Sequence, residues 1–335
     1  MNKFTKFNSD ISNNYSKRIR AHLSPVHSYR SRCEFGYSKE SYVMHKNNSK
    51  IYLEEFDIAV ISIKQLMPIL LKLINNSIEI KHKLFQINFR SSSSNKVLIT
   101  LIYHKNISDN LVDEIKEIKN LLDVDIIIRA KNSIHPSKDI YLQDFITSKN
   151  LKIYQTDTSF YQPNRCLLPK MINKVSSLIE NPKDLIELYC GVGTFTLSLS
   201  ELFKNVFATE NDRKSIKCLN KAIIDNNLSN INCARLSSTE VEELFNGRKF
   251  RRMDGINIKK YNFSHILVDP PRSGLTEEVI KLLSRFKNII YISCSPETYI
   301  RDIKLLKDHK IKNIEVFDQF PNTKHLEIVS ILSIN

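Results

Sequence analysis

No stretch of the 335-residue chain is both long enough and free enough of charge to span a bilayer. The N-terminus, MNKFTKFNSD, lacks the apolar run of a secretory signal. Together these absences predict a soluble, cytoplasmic protein without a membrane partner. Cysteine is sparse and scattered: Cys33, Cys166, Cys190, Cys218, Cys233 and Cys294 form no C-x-x-C pair, and no histidine joins them at metal-ligand spacing. The expectation is no metal site, no iron–sulfur cluster and no disulfide framework, which suits a reducing compartment. Glycine is scarce, with six in the whole chain, and no internal repeat is visible.

The hydrophobic fraction of 41% and the length are enough for a sizeable core, and they suggest two domains. The net charge is +14. About half of it sits in the first fifty residues, which hold ten Lys/Arg against three Asp/Glu. Tyr15, Tyr29, Phe35, Tyr37 and Tyr42 lie in the same segment. Cations interleaved with aromatics suit a nucleic acid, the rings stacking on unpaired bases. The plainer reading is a chain rich in Lys, Asn and Ile throughout.

Two regions differ in pattern. Between residues 33 and 131, short β-like runs (33–37, 51–55, 84–90, 96–103, 123–129) surround two segments with helical spacing, 62–74 and 111–122. Residues 91–94 read as a flexible hairpin tip, and 132–152 as a polar connection. The expectation is an α+β domain with an antiparallel sheet over residues 1–155. From residue 184, strand signals at 185–189, 206–209, 266–268, 289–292, 314–317 and 327–334 alternate with helical patterns around 195–202, 214–227, 277–286 and 296–306. Such alternation predicts a doubly wound, Rossmann-like parallel sheet over 156–335. The last two strands are too close for a parallel crossover, so they are expected to form an antiparallel hairpin. A parallel sheet finished in this way marks the methyltransferase version of the fold.

The chemistry-bearing residues fall at the predicted C-terminal ends of strands, where open α/β sheets bind ligands. Asp184-Leu-Ile-Glu-Leu-Tyr-Cys-Gly191-Val-Gly193-Thr194 is a strand, a glycine turn and a helix start. Glycine suits a sharp turn that approaches a ligand. About twenty residues on, a second strand ends in Glu210, the place of an acid that holds ribose hydroxyls. A short G-V-G-T turn fits a nucleoside better than a dinucleotide, although a nicotinamide enzyme stays open on the turn alone. A later strand ends in Asp269, stiffened by Pro270 and Pro271. Another ends in Tyr291-Ile-Ser-Cys294-Ser295-Pro296. A lone cysteine is more often a buried hydrophobe than a nucleophile. Here Pro296 suits the first position of a helix, whose N-terminus is expected to favour a Cys294 thiolate.

At these residues the chain resembles the tRNA (uracil-5-)-methyltransferases of the TrmA type. The resemblance runs through Phe160-Tyr-Gln162-Pro-Asn164, Leu188-Tyr189-Cys-Gly-Val-Gly, Phe207-Ala-Thr-Glu210, Val268-Asp269-Pro-Pro-Arg272-Ser-Gly-Leu275, Tyr291-Ile-Ser-Cys294 and Phe317-Asp-Gln-Phe-Pro321. It extends into the N-terminal half through Ser24-Pro-Val-His-Ser-Tyr-Arg30, Cys33-Glu-Phe35, His82-Lys-Leu-Phe-Gln-Ile87 and Leu101-Ile-Tyr-His-Lys105. It implies S-adenosyl-L-methionine as methyl donor and C5 of the T-loop uridine at position 54 of tRNA as acceptor. It implies Cys294 as covalent nucleophile, Glu327 as general base, and cofactor contacts from Gln162, Tyr189, Thr194, Glu210 and Asp269. A monomer is expected. The chain departs from the family pattern at Thr194 and Ser295, where the family has Asn. It also implies a basic N-terminal domain that holds the opened loop, with Arg30, Arg32 and Phe35 as candidate contacts.

Neighbouring readings are a ribosomal-RNA uracil-5 methyltransferase and a non-catalytic RNA-folding protein on the same scaffold. The ribosomal relatives often carry a cysteine cluster or an extra β-barrel, for which this chain has no residues. A DNA cytosine methyltransferase would need Pro-Cys where Asp269-Pro-Pro stands. An amino-group methyltransferase would have an aromatic in place of Arg272.

Overall fold

A computed structural model describes residues 2–46, 49–146 and 149–334. The chain divides into two compact units: one of residues 1–24, 146–154 and 159–335, the other of residues 25–145 and 155–158. This departs from the expected boundary at 155/156, because the first 24 residues belong to the larger unit. Phe7 and Ile11, from the helix Lys3–Ile11, are fully buried in its core, the Phe7 ring 6.4 Å from that of Tyr299.

The larger unit is built on an eight-stranded sheet. Its spatial order is Arg20–His22, His309–Phe317, Glu327–Ile334, Asn288–Ser293, Phe263–Val268, Asp184–Leu188, Asn205–Glu210, Ile231–Arg235. All neighbours are parallel except Glu327–Ile334, which runs antiparallel to both of its neighbours. The expected parallel sheet with a terminal antiparallel hairpin is what forms. Every residue of Asp184–Leu188 is buried, as are the first six of Glu327–Ile334. Central strands covered on both faces need such continuous burial.

Two strands were not anticipated. Ile231–Arg235 buries only Ile231 and Ala234, so its sequence carries little apolar signal. Arg20–His22 has three residues and is held by contacts remote in sequence: the His22 ring stacks on Phe317 at 4.4 Å and its Nε2 lies 2.5 Å from Glu315. The helices have local causes. Arg213–Asp225 is capped by Asp212, which accepts from Ser215 N at 2.7 Å, and buries Ser215, Cys218, Leu219 and Ala222 on one stripe. Ser238–Phe245 starts with a Ser237/Glu240 capping box.

The smaller unit holds a seven-stranded sheet in the order Ser49–Leu53, Ser41–Lys46, Arg32–Ser38, Leu84–Ser91, Val97–Tyr103, Asp125–Ala130, Ser133–His135. It is antiparallel except for one parallel pair, Val97–Tyr103 with Asp125–Ala130, bridged by the helix Asp109–Leu122. The wholly antiparallel sheet expected from the sequence is corrected at that pair. Residues 91–94 are not a flexible tip: Ser91 and Ser92 are buried, and Ser93 N donates to Asp144 at 2.7 Å. The polar connection also contains the strands Ser133–His135, Leu142–Ile146 and Leu151–Gln155. Among the described residues, no helix is long and apolar enough to cross a membrane.

Candidate active site

The parallel strands of the larger unit end along one edge, and the reversed strand Glu327–Ile334 begins there. Leu188 leads from that edge into the glycine turn. Tyr189, Gly191 and Gly193 all have positive φ, at 60°, 56° and 91°. A Cβ on Gly193 would lie 2.3 Å from Leu219 Cδ1, so that position is closed to side chains. Gly191 N donates to Glu210 Oε2 at 3.0 Å, and Asn211 N and Asp212 N donate to its Oε1 at 2.7 and 2.8 Å. Three backbone donors therefore aim Glu210, yet two carboxylate oxygens keep lone pairs for further donors.

The turn after Val268 is held from beneath by Asp302, which is fully buried. Its Oδ2 accepts from Leu275 N at 2.8 Å and from Tyr291 Oη at 2.6 Å. Arg301 donates to the carbonyls of Ser273 and Leu275 at 3.0 and 3.1 Å. Pro270 and Pro271 stiffen the same turn. Asp269 is half-buried there, and burial raises its carboxyl to about 7.

Cys294 and Glu327 meet through strand register. The antiparallel ladder ends at the pair Ser293–Ile328, and Cys294 and Glu327 are the next residues on the two strands beyond it. The two groups feel one another: the charge of Glu327 and then that of Asp269 add to burial in raising the Cys294 thiol to about 11, while Arg272 opposes them. Glu327 is buried, and desolvation followed by the Asp269 charge pushes its carboxyl well above the usual range, again against Arg272. The expected helix-stabilised thiolate is thus corrected. The helix Pro296–Leu305 does begin at Pro296, but Ser295 caps it by accepting from Thr298 N, and burial first, then nearby carboxylates, raises the thiol.

Of the seven residues singled out in the sequence, Cys294, Glu327 and Asp269 form this electrostatic cluster. Glu210 and Tyr189 belong to the glycine turn, with Tyr189 Oη donating to Ser238 Oγ at 2.7 Å. Gln162 and Thr194 are buried, and neither side chain makes a hydrogen bond among the described residues. The two groups are linked through Glu187, a residue the sequence reading passed over. Thr196 Oγ1 donates to it at 2.6 Å; burial first, then the charges of Asp269 and Glu210, raise it to about 8. The signal was an acid in the middle of an otherwise apolar buried strand. Arg272, Asp302 and Lys3 were also missed as parts of the site. Lys3 Nζ donates to Asp318 at 2.5 Å and to the carbonyls of Phe320 and His325, both at 3.0 Å, tying down the loop before Glu327.

Four carboxyl groups thus gather at one edge; burial raises those of Glu187, Asp269 and Glu327, and neighbouring negative charge adds to the shift of Glu187 and Glu327. Such an edge fits a cationic ligand. S-adenosyl-L-methionine meets that requirement with its sulfonium and ammonium groups, and its ribose hydroxyls suit Glu210.

In the smaller unit, the suggested aromatic contacts are corrected. Tyr29, Phe35 and Tyr42 are buried; Phe35 packs among Tyr42, Phe56 and Phe89. Tyr37 donates to Asn75 at 2.6 Å, and Arg32 pairs with Glu34. Exposed aromatics there among the described residues are Tyr52 and Phe85, the latter stacked on His104 at 4.3 Å.

The family model for tRNA (uracil-5-)-methyltransferases matches residues 1–334. A tRNA/tmRNA (uracil-C(5))-methyltransferase of Campylobacter lari is 40% identical over 324 residues, covering 93% of this chain and 92% of that one. A protein of the same name from Teredinibacter turnerae is 39% identical, over 95% and 91%. Among solved structures, the Pyrococcus abyssi tRNA (uracil-54, C5)-methyltransferase in complex with S-adenosyl-L-homocysteine superposes with a TM-score of 0.76 at 22% identity. That match covers 98% of this chain and 82% of the other.

Proposed function

Because the chain belongs to the tRNA (uracil-5-)-methyltransferase family, we propose that this S-adenosylmethionine-dependent methyltransferase acts on the T-loop uridine at position 54 of tRNA. The tRNA/tmRNA name of its 39–40% identical relatives extends the proposal to tmRNA. The observation that carries the reading is that Cys294 and Glu327 both flank the end of the antiparallel ladder, close enough for the Glu327 charge to act on the thiol.

Bound S-adenosyl-L-methionine supplies an electrophilic methyl group; Gln162, Tyr189, Thr194, Glu210 and Asp269 are its proposed contacts. Uracil C5 is too weak a nucleophile to take that group unaided. The Cys294 thiolate adds to C6, and the C5=C6 pair moves into an enolate that makes C5 nucleophilic. After methylation, C5 carries both the methyl group and its original proton. Glu327, as carboxylate, removes that proton; the electron pair reforms the double bond and expels the thiolate. Burial first, then neighbouring acids, favours the protonated form of both groups, and positive charge at the edge favours the reactive form. Arg272 already opposes both shifts.

The uridine must leave its loop to reach the edge, which costs a few kcal/mol of unstacking. The exposed Phe85–His104 stack is a surface suited to a displaced base. The proposed catalytic and cofactor residues all come from one unit of one chain, which supports action as a monomer. The six free cysteines fit the cytoplasm.

The test uses tRNA carrying 5-fluorouridine, whose fluorine cannot leave as a proton. With cofactor, the protein should form an RNA adduct that survives denaturing gels, and Cys294→Ala should abolish it. No adduct with the wild-type chain, together with no labelled methyl transfer to unmodified tRNA, would sink the reading.

A further inference from the structure

The opposite edge of the catalytic sheet has the reverse character. Between the helix Ser238–Phe245 and the strand Phe263–Val268, residues 246–260 carry six Lys/Arg and one Asp. That net +5 in fifteen residues compares with +14 for the chain. The segment runs along the outer strand Ile231–Arg235, where Arg252 donates to the Arg235 carbonyl at 2.7 Å, and leads into the start of a parallel strand at the edge away from Asp269. It is anchored there where Asn262 N donates to buried Asp184 at 2.5 Å. Six residues of strand set the two edges about 20 Å apart.

The cations are of two kinds. Arg248 and Arg252 are committed: they pair with Glu243 and Glu240 at 2.6 and 2.5 Å and lie 5.0 and 5.7 Å from the Phe250 ring centre. Lys249, Arg251, Lys259 and Lys260 are exposed and have no side-chain partner among the described residues. Lys249, Arg251 and Lys259 border a cavity of about 890 Å³ whose wall includes Phe245, Phe250, Tyr261 and Phe263, all half-buried; Lys260 follows Lys259 in the chain. Gly247 and Gly255 shape the loop at φ 98° and 78°, and a Cβ on either would meet nothing within 4 Å. A chain with six glycines thus places two of them in this open, basic loop.

Like charges crowded without counter-charge repel one another, and a polyanion relieves that repulsion. Aromatic rings beside the cations suit a nucleic acid better than an acidic peptide. We propose that Lys249, Arg251, Lys259 and Lys260 form a second RNA-docking surface, which engages phosphates of the substrate tRNA outside the T arm. This rests on the tRNA reading above. The surface adds affinity for the whole tRNA and takes no part in the chemistry.

The experiment compares full-length tRNA with an isolated T-arm hairpin, using the full chain and a variant with Lys249→Glu, Arg251→Glu, Lys259→Glu and Lys260→Glu. The variant should bind full-length tRNA at least about tenfold more weakly at physiological salt. Its plot of log affinity against log salt should be shallower by about three units, the share of four phosphate contacts. Methylation of the hairpin should keep its wild-type kcat and KM. An unchanged salt slope for full-length tRNA, or equal losses on both substrates, overturns the proposal. If wild type binds tRNA with the steep slope but methylates neither substrate, the docking surface stands and the proposed function falls.

Discussion

The two edges of the catalytic sheet separate charge by sign and by solvent. At the edge where the parallel strands end, the carboxyl groups of Glu187, Asp269 and Glu327 are crowded and raised in pKa. Along the outer strand and at the other edge, cations are exposed, and four have no side-chain partner among the described residues. Buried acids that repel one another form a site waiting for a small cation, because desolvation makes each charge costly until it is paired. Exposed cations cost little to keep and act through screened attraction to a large anion. One sheet can thus hold a cationic cofactor precisely and a polyanionic substrate loosely.

The comparison breaks most severely at Glu327. Glu327→Gln should leave addition of Cys294 possible but block proton removal from C5. Turnover should fall by about 10³-fold, and an adduct with ordinary uridine should accumulate. Rapid quench followed by denaturing gels would detect it; loss of turnover with no adduct would remove Glu327 from the role of base.

The frame of the acidic edge should break at Gly193. Gly193→Ala places a side chain at φ 91° against Leu219. We expect a loss of about 2–3 kcal/mol in unfolding free energy by chemical denaturation. An unaltered midpoint would show that the turn relaxes easily.

A gentler test is pH. Asp269 is raised to about 7, so in the free protein it is protonated below that value and charged above it. A nearby cation favours the charged form, so cofactor binding should release protons between pH 5 and 8. Affinity for S-adenosylmethionine should therefore rise several-fold from pH 6 to pH 8, and less steeply for S-adenosylhomocysteine, which lacks the sulfonium. Calorimetry in buffers of different ionisation enthalpy measures this directly. Asp269→Asn should flatten the profile; an equal slope for both ligands would mean that the sulfonium does not face this carboxyl. Stability of the free protein runs the other way. The folded pKa lies above the unfolded one, so the free protein loses stability as pH rises from about 4 through 7.

Much of the site was legible because its residues close strands. Val268 before Asp269 and Ile292 before Cys294 are apolar runs that stop abruptly, and the sheet brings such endings to one edge. The hairpin was legible because so few residues separate its strands. Ile231–Arg235 was not, since an edge strand with two buried residues has almost no pattern. Phe35 shows the opposite failure: an aromatic beside cations reads as a base-stacking residue until packing puts it among Tyr42, Phe56 and Phe89.

The amino-acid sequence by itself determined the succession of strands and helices, the glycine turn, and the placing of Glu210, Asp269 and Cys294 at strand ends. These follow from local periodicity and from backbone angles that only certain residues adopt. Tertiary structure alone decided that Cys294 and Glu327 flank the end of one ladder, that Glu187 couples the two halves of the acidic edge, and that Lys3 ties down the loop before Glu327. Register, burial and charge proximity join residues far apart in the chain, and no local pattern records them.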